Sequence, residues 1–183
     1  IKGKIIDEKI LEKFRKKVRY FYFEKFNKNF SVWDRENFQR NEINKGIYDA
    51  KPDDVIIISD VDEIPKLSVI DFSAIENQVY AFSQLHSIYK LNLYRENKWW
   101  IGSKLCLKKN LKSPQWLRTL KVKKKYHFLR IDKLFSKTYY KNFKIIENAG
   151  WHLAWLKKSD QILKKINAFA HTELKEKFKE KEF

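Results

Sequence analysis

The chain has one cysteine, no methionine, three prolines and four glycines in 183 residues. The lone Cys106 excludes an internal disulfide framework and a cysteine metal cluster, and it reads as a core residue. One cysteine also fits a reducing compartment. So few glycines and prolines leave no flexible linker, and the length predicts one domain over 1–183. No apolar run reaches the roughly 18 residues that suggest a membrane span, and no signal peptide is visible. The expected location is cytoplasmic or peripheral to a membrane. The sequence opens on Ile1 and lacks methionine throughout, so the expectation is that a natural N-terminal part is missing.

What is present is apolar and basic. A hydrophobic content of 43%, with 16% aromatic residues, is ample for a core and argues against disorder. The net charge is +17. It concentrates in 98–144, where fifteen Lys or Arg stand against one acid, Asp132, giving +14. Such a segment selects anionic partners: a nucleotide diphosphate, acidic lipid headgroups at a membrane surface, an anionic glycan or nucleic acid. The Lys121–Lys125 cluster by itself fits a nucleic-acid patch, and equally a solvated face.

The most informative segment is 52–65. Val55 to Ile58 is a continuous β-branched run, which predicts a buried strand in a parallel sheet. It runs into Asp60, Asp62 and Glu63, and Pro65 is expected to stop it. In open α/β sheets, ligands bind just beyond the carboxyl ends of strands. Carboxylates gathered there call for a cation, and Mg²⁺ and Mn²⁺ favour carboxylate oxygens and bound phosphates. A polar turn that merely caps the strand is the plain alternative.

Around this segment the pattern predicts a helix over Ile5–Lys17 and a strand over Val18–Phe23. A second helix opens at a capping box, Ser31 with Asp34, and runs to about Ala50. Together with the run at Val55 this is a strand–helix–strand unit, so the predicted class is α/β. At 100° per residue, Glu36 and Arg40 fall within about 80° of Ile43, Ile47 and Ala50, on the apolar stripe. They are either a partly buried ion pair or a charged pair lining a pocket. Further strands are expected at Gln78–Ser83, Ser87–Tyr94, Lys98–Lys108, with Gly102 as a bend, and Lys144–Ile146. Ser159 offers an N-cap for a last helix to about Lys179, on which Glu173 falls among Ile162, Ile166, Phe169 and Ala170.

Trp33-Asp34-Arg35-Glu36, Gln39-Arg40-Asn41, Gly46, Ala50-Lys51-Pro52-Asp53-Asp54 and Ile58-Ser59-Asp60-Val61-Asp62-Glu63-Ile64-Pro65 follow one another in order. Ala149-Gly150-Trp151-His152-Leu153, Lys165-Ile166 and Ala168-Phe169-Ala170-His171-Thr172-Glu173 come later. This ordered set resembles glycosyltransferase family 17, the family of β-1,4-mannosyl-glycoprotein 4-β-N-acetylglucosaminyltransferase. The likeness is dense over 33–65 and 149–173 and thin between them. It implies a GT-A-like nucleotide-sugar-binding fold with a mainly parallel central sheet, lacking its N-terminal part. It also implies an inverting, metal-dependent transfer of a sugar, N-acetylglucosamine from UDP-GlcNAc, to a glycan hydroxyl, with Mn²⁺ held by the Asp-x-Asp. The basic 98–144 segment has no clear counterpart in the family, so the acceptor need not be an N-glycan.

Under that reading Asp62 is the leading metal ligand. Asp60 binds the metal directly or acts through water and the donor ribose. His152 reaches the same metal from the Gly-Trp-His turn, and Glu63 orients a ligand. Glu36, Arg40, Asn41, Arg118 and Lys104 are donor contacts, and Trp99 and Trp100 are a stacking platform for an acceptor sugar. Glu173 is the general base, with Asp132 as the alternative and Glu96 no worse on chemistry alone. The competing reading is a nucleic-acid-binding module that uses 98–144, which leaves the acidic strand end unexplained.

Overall fold

The computed structural model describes residues 8–21, 29–121, 143–157 and 161–162. It divides into two compact units, Ile1–Tyr48 and Asp49–Phe183. In the first, helix α1 spans Glu8–Phe14 and helix α2 spans Val32–Asn41. The Ser31–Asp34 box opens α2 as expected. Ser31 Oγ accepts from the Asp34 amide, and the Asp34 carboxylate accepts from the Ser31 amide at 2.9 Å. This helix ends nine residues earlier than the stripe suggests. A 3₁₀ segment, Glu42–Gly46, follows, with Asn41 in αR conformation at its start. No strand forms over 18–21.

The second unit is built on one sheet. Its strands are β1 (Val55–Ile58), β2 (Glu63–Pro65), β3 (Val79–Ile88), β4 (Tyr94–Leu107), β5 (Phe143–Ile146) and β6 (Gly150–Ala154). Helix α3 (Pro114–Thr119) follows β4, with Ser113 as its N-cap and Pro114 in its first turn. The strand order is β1-β4-β3-β6-β2, and β5 also pairs with β3. β1–β4, β3–β4 and β2–β6 are antiparallel, while β3–β5 and β3–β6 are parallel.

The class is therefore mixed α/β, and the sheet is mostly antiparallel rather than mainly parallel. The physical reason is local. The two strands expected at 78–83 and 87–94 are one strand, β3, which turns back at 89–93 into β4. A hairpin enforces antiparallel pairing. β1, expected to be covered on both faces, pairs only with β4 among the described residues. Its burial alternates, with Ile56 and Ile58 buried and Val55 and Ile57 half-buried. Pro65 ends a second short strand rather than the first.

β5 and β6 behave as one strand broken in the middle. β5 pairs with the first half of β3 and β6 with the second, while Asn148, at φ 51°, makes the break. Asn tolerates that region because its short polar side chain bonds locally. The Ala149 amide donates to the Ser83 carbonyl at 2.8 Å, so the ladder stays nearly continuous.

The core lies on both sides of β3. Tyr80, Phe82, Leu105 and Ala149 pack with Val55, Ile57, Ile70, Ile75 and Ile146. Leu117 and Leu120 are buried from the α3 segment. Cys106 is fully buried, and burial pushes its thiol up to about 12, which makes it an inert core residue. Among the described residues no helix is long and apolar enough to cross a membrane.

Candidate functional site

Side chains alternate along a strand, so the face of β3 that carries Tyr80 and Phe82 also carries Gln84 and His86. Register then assembles a polar cluster on that face. Trp100 of β4 lies opposite Gln84. His152 of β6 lies beside His86, and Glu63 of β2 lies opposite His152. The cluster thus draws on four strands, at the end of the sheet where the Asp60–Asp62 turn leaves β1.

Glu63 is its centre. The side chain has no exposed surface. Its Oε1 accepts from Trp100 Nε1 at 2.7 Å and from an Arg118 guanidinium nitrogen at 2.6 Å. Its Oε2 accepts from Ser103 Oγ at 3.2 Å and from the Asp60 amide at 3.2 Å. A buried carboxylate is tolerated when its lone pairs are filled and a cation is near, and both hold here.

Arg118, from the last turn of α3, also donates to Asp60 Oδ2 at 2.8 Å and to the Gly102 carbonyl. Burial pulls its pKa down, but the charges of Glu63 and Asp60 pull it up further, so the net shift is upward. Lys104 is buried and donates to the Arg118 carbonyl, which ties α3 to β4.

The register between β3 and β4 slips between Ala81 and Ser83. The extra residue lies at Gly102–Ser103, a β-bulge where the sequence suggested a bend. Ser103 Oγ and the place a Gly102 side chain would occupy both face Glu63 and Gln84. A Cβ on Gly102 would lie 2.2 Å from Gln84 Oε1 and 2.7 Å from Glu63 Oε1.

Beside this network Asp62 meets His152. Asp62 Oδ1 is 3.7 Å from His152 Nε2, beyond hydrogen-bonding distance. The His152 ring lies 4.4 Å from Trp100 and 4.6 Å from His86, stacked on each, and the three rings form a triangle. Burial lowers the His152 pKa, against upward pulls from Asp62 and Glu63. The imidazole is therefore neutral near pH 7, the form that ligates a metal. Its Nδ1 is buried and has no hydrogen-bond partner among the described residues.

Among the described residues no group of three His, Cys, Asp or Glu is arranged to hold a metal. Two protein donors, Asp62 and a neutral His152, do fit a cation that takes its remaining ligands from phosphate and water, as Mg²⁺ sites commonly do.

The turn after β1 and the Gly-Trp-His segment thus come together, with Arg118 and Lys104 alongside. Trp99 and Trp100 do not share one platform. They are neighbours on a strand and face opposite sides of the sheet, Trp100 with Gln84 and Trp99 with Leu85. Glu36, Arg40 and Asn41 belong to the first unit, where Arg40 pairs with Glu36 at 2.9 Å. Glu173 and Asp132 lie outside the described residues, as do 122–142 of the basic 98–144 segment and all of the expected last helix beyond 162.

Gln84, His86 and Ser103 joined the cluster without a sequence motif to mark them. The available signal was weak: two polar residues continuing the apolar face of a strand. No family model, curated protein or solved structure matches the chain.

Proposed function

We propose that this protein is a metal-dependent glycosyltransferase of GT-A-like type, moving a sugar from a nucleotide-sugar donor such as UDP-GlcNAc to a glycan hydroxyl. The observation that carries the reading is the approach of Asp62 to His152. They are ninety positions apart in sequence, each was singled out by a separate motif, and they face each other at 3.7 Å. In a chain of +17, a nucleotide diphosphate is also the expected kind of ligand.

The residues divide the work by chemistry. Asp62 and His152 would hold Mn²⁺ or Mg²⁺. When bound, the ion supplies positive charge to a departing diphosphate. Arg118 holds Asp60 in place, and Asp60 is then oriented to assist the metal or the donor ribose. Trp100 and His86 fix the plane of the His152 ring by stacking. Glu63 keeps Trp100, Ser103 and Arg118 in register. The acceptor base is proposed to be Glu173 or Asp132.

The test is Asp62→Asn, which keeps shape and removes one charge. Mn²⁺ affinity and nucleotide-sugar binding should fall together, and transfer should drop by several orders of magnitude, each ~1.4 kcal/mol being tenfold. Melting temperature should hold or rise slightly. Binding of a nucleotide-sugar panel, measured with Mn²⁺ and with chelator, gives the parallel readout. Near-normal transfer with Asn at position 62 would overturn the reading. Salt-sensitive RNA or DNA binding without any metal-dependent donor binding would favour the nucleic-acid module instead.

A further inference from the structure

The opposite face of the sheet carries a second feature. Trp99 of β4 pairs with Leu85 of β3, Leu85 with Trp151 of β6, and Trp151 with Ile64 of β2. This is an unbroken apolar row across four strands, with Trp99 and Trp151 about 10 Å apart by strand spacing. Trp99 is 46% exposed, Trp151 42% and Ile64 48%. The row continues through Tyr94, which pairs with Ser87 on the same face, to the β3–β4 turn, where Leu91 and Leu93 are exposed. The turn is closed by the Ile88 amide donating to the Leu93 carbonyl at 2.8 Å. Contiguous exposed apolar surface of this kind marks an interaction site.

Charge selects the partner. Segments 64–70, 84–101 and 149–157 contain Lys66, Lys90, Arg95, Lys98 and Lys157 against a single acid, Glu96. Lys66, Lys90 and Lys157 are exposed. A second copy of this chain would bring like charge against like charge. A saccharide needs several convergent hydrogen-bond partners, yet Ser83 and Ser87 on this face are buried, and the polar atoms of the row itself are the indole N–H groups of Trp99 and Trp151 and the Tyr94 hydroxyl. An anionic bilayer meets both conditions. It accepts Leu, Trp and Tyr at its interface and attracts Lys and Arg.

The geometry points to this face and the β3–β4 turn as a peripheral docking surface for an anionic lipid bilayer. Leu91, Leu93 and Tyr94 enter the interface, Trp99 and Trp151 lie at headgroup depth, and Lys66, Lys90 and Lys157 contact the lipid phosphates. The binding is electrostatic and hydrophobic together, as for surface-lying segments.

The test is co-sedimentation of the full 183-residue chain with vesicles of phosphatidylcholine alone or mixed with phosphatidylglycerol. Without nucleotide sugar, the result stands apart from the transferase reading. The chain should partition onto the mixed vesicles, and less so as salt rises. Leu91→Ser with Leu93→Ser should lower partitioning by roughly tenfold or more, from the lost apolar burial. Circular dichroism checks that the variant folds. Lys90→Glu with Lys157→Glu, at exposed positions that leave the core untouched, should weaken the preference for anionic lipid. No partitioning, equal partitioning onto both vesicle types, or partitioning indifferent to both variants would overturn the proposal. So would a lipid-free dimer that the leucine variant dissolves, or glycan-column retention that Trp99→Ala abolishes, since a different partner would then cover this face.

Discussion

At position 102 the site leaves room for a hydrogen and nothing larger. A methyl group there meets Gln84 Oε1, Trp100 Cδ1 and Glu63 Oε1, all within 2.7 Å. None of the three moves freely: Trp100 and Glu63 are bonded to each other, and Gln84 is fully buried. Gly102→Ala should therefore destabilise the fold by about 1–3 kcal/mol, the usual cost of overpacking. Urea unfolding measures it, and a midpoint equal to wild type would mean the Glu63 network is looser than described. The sequence marks Gly102 as a bend. It does not say that the bend lets two consecutive residues face one buried carboxylate.

Among the elements, β2 and β6 form the seam on which the site depends. β2 has three residues, and it carries Glu63 into the cluster opposite His152. Gly150 opens β6 at φ 130°, a conformation that side chains resist, and a Cβ there would lie 2.1 Å from the Ile64 carbonyl. Gly150→Ala should part the seam. The Leu153 amide donates to the Asp62 carbonyl at 2.8 Å across it. Hydrogen exchange at Leu153 should therefore quicken in the variant more than at Tyr80 or Phe82 of the core. Uniform protection across these amides would show that the seam does not open locally. The Gly-Trp-His motif reads in sequence as a turn after a strand, but it is itself the start of strand β6, and its partner strand was not legible either. A three-residue strand has too little pattern to be read from sequence.

For the whole molecule, the buried neutral His152 links stability to pH. Its pKa in the folded state is lowered by burial, below the ordinary 6.5 of the unfolded chain. As pH falls below about 6.5, the unfolded chain takes up the proton first, and falling pH favours the state that binds more protons, here the unfolded one. The His152 contribution is thus complete above pH 6.5 and is lost as pH falls through the folded-state pKa. Melting temperatures in chelator from pH 8 to pH 5 should fall more steeply for wild type than for His152→Gln. Parallel curves would mean that the imidazole stays solvated in the folded chain.

The sequence alone determined what depends on local pattern. The capping box at Ser31, the β-branched run at Val55–Ile58, the inert Cys106 and the concentration of basic charge in 98–144 need only composition, spacing and intrinsic conformational preference. The expected parallel sheet was a different kind of statement. A β-branched run specifies a strand but not the direction of its neighbour, and the 89–93 turn made that neighbour antiparallel. The site depended still more on tertiary structure. Whether Asp60 meets Arg118 depends on how helix α3 docks on the sheet, and whether Asp62 meets His152 and whether Trp99 and Trp100 act together are questions of register between distant strands. A shift of one residue in that register turns each side chain to the other face, so pairing, not residue identity, decides which residues share a site.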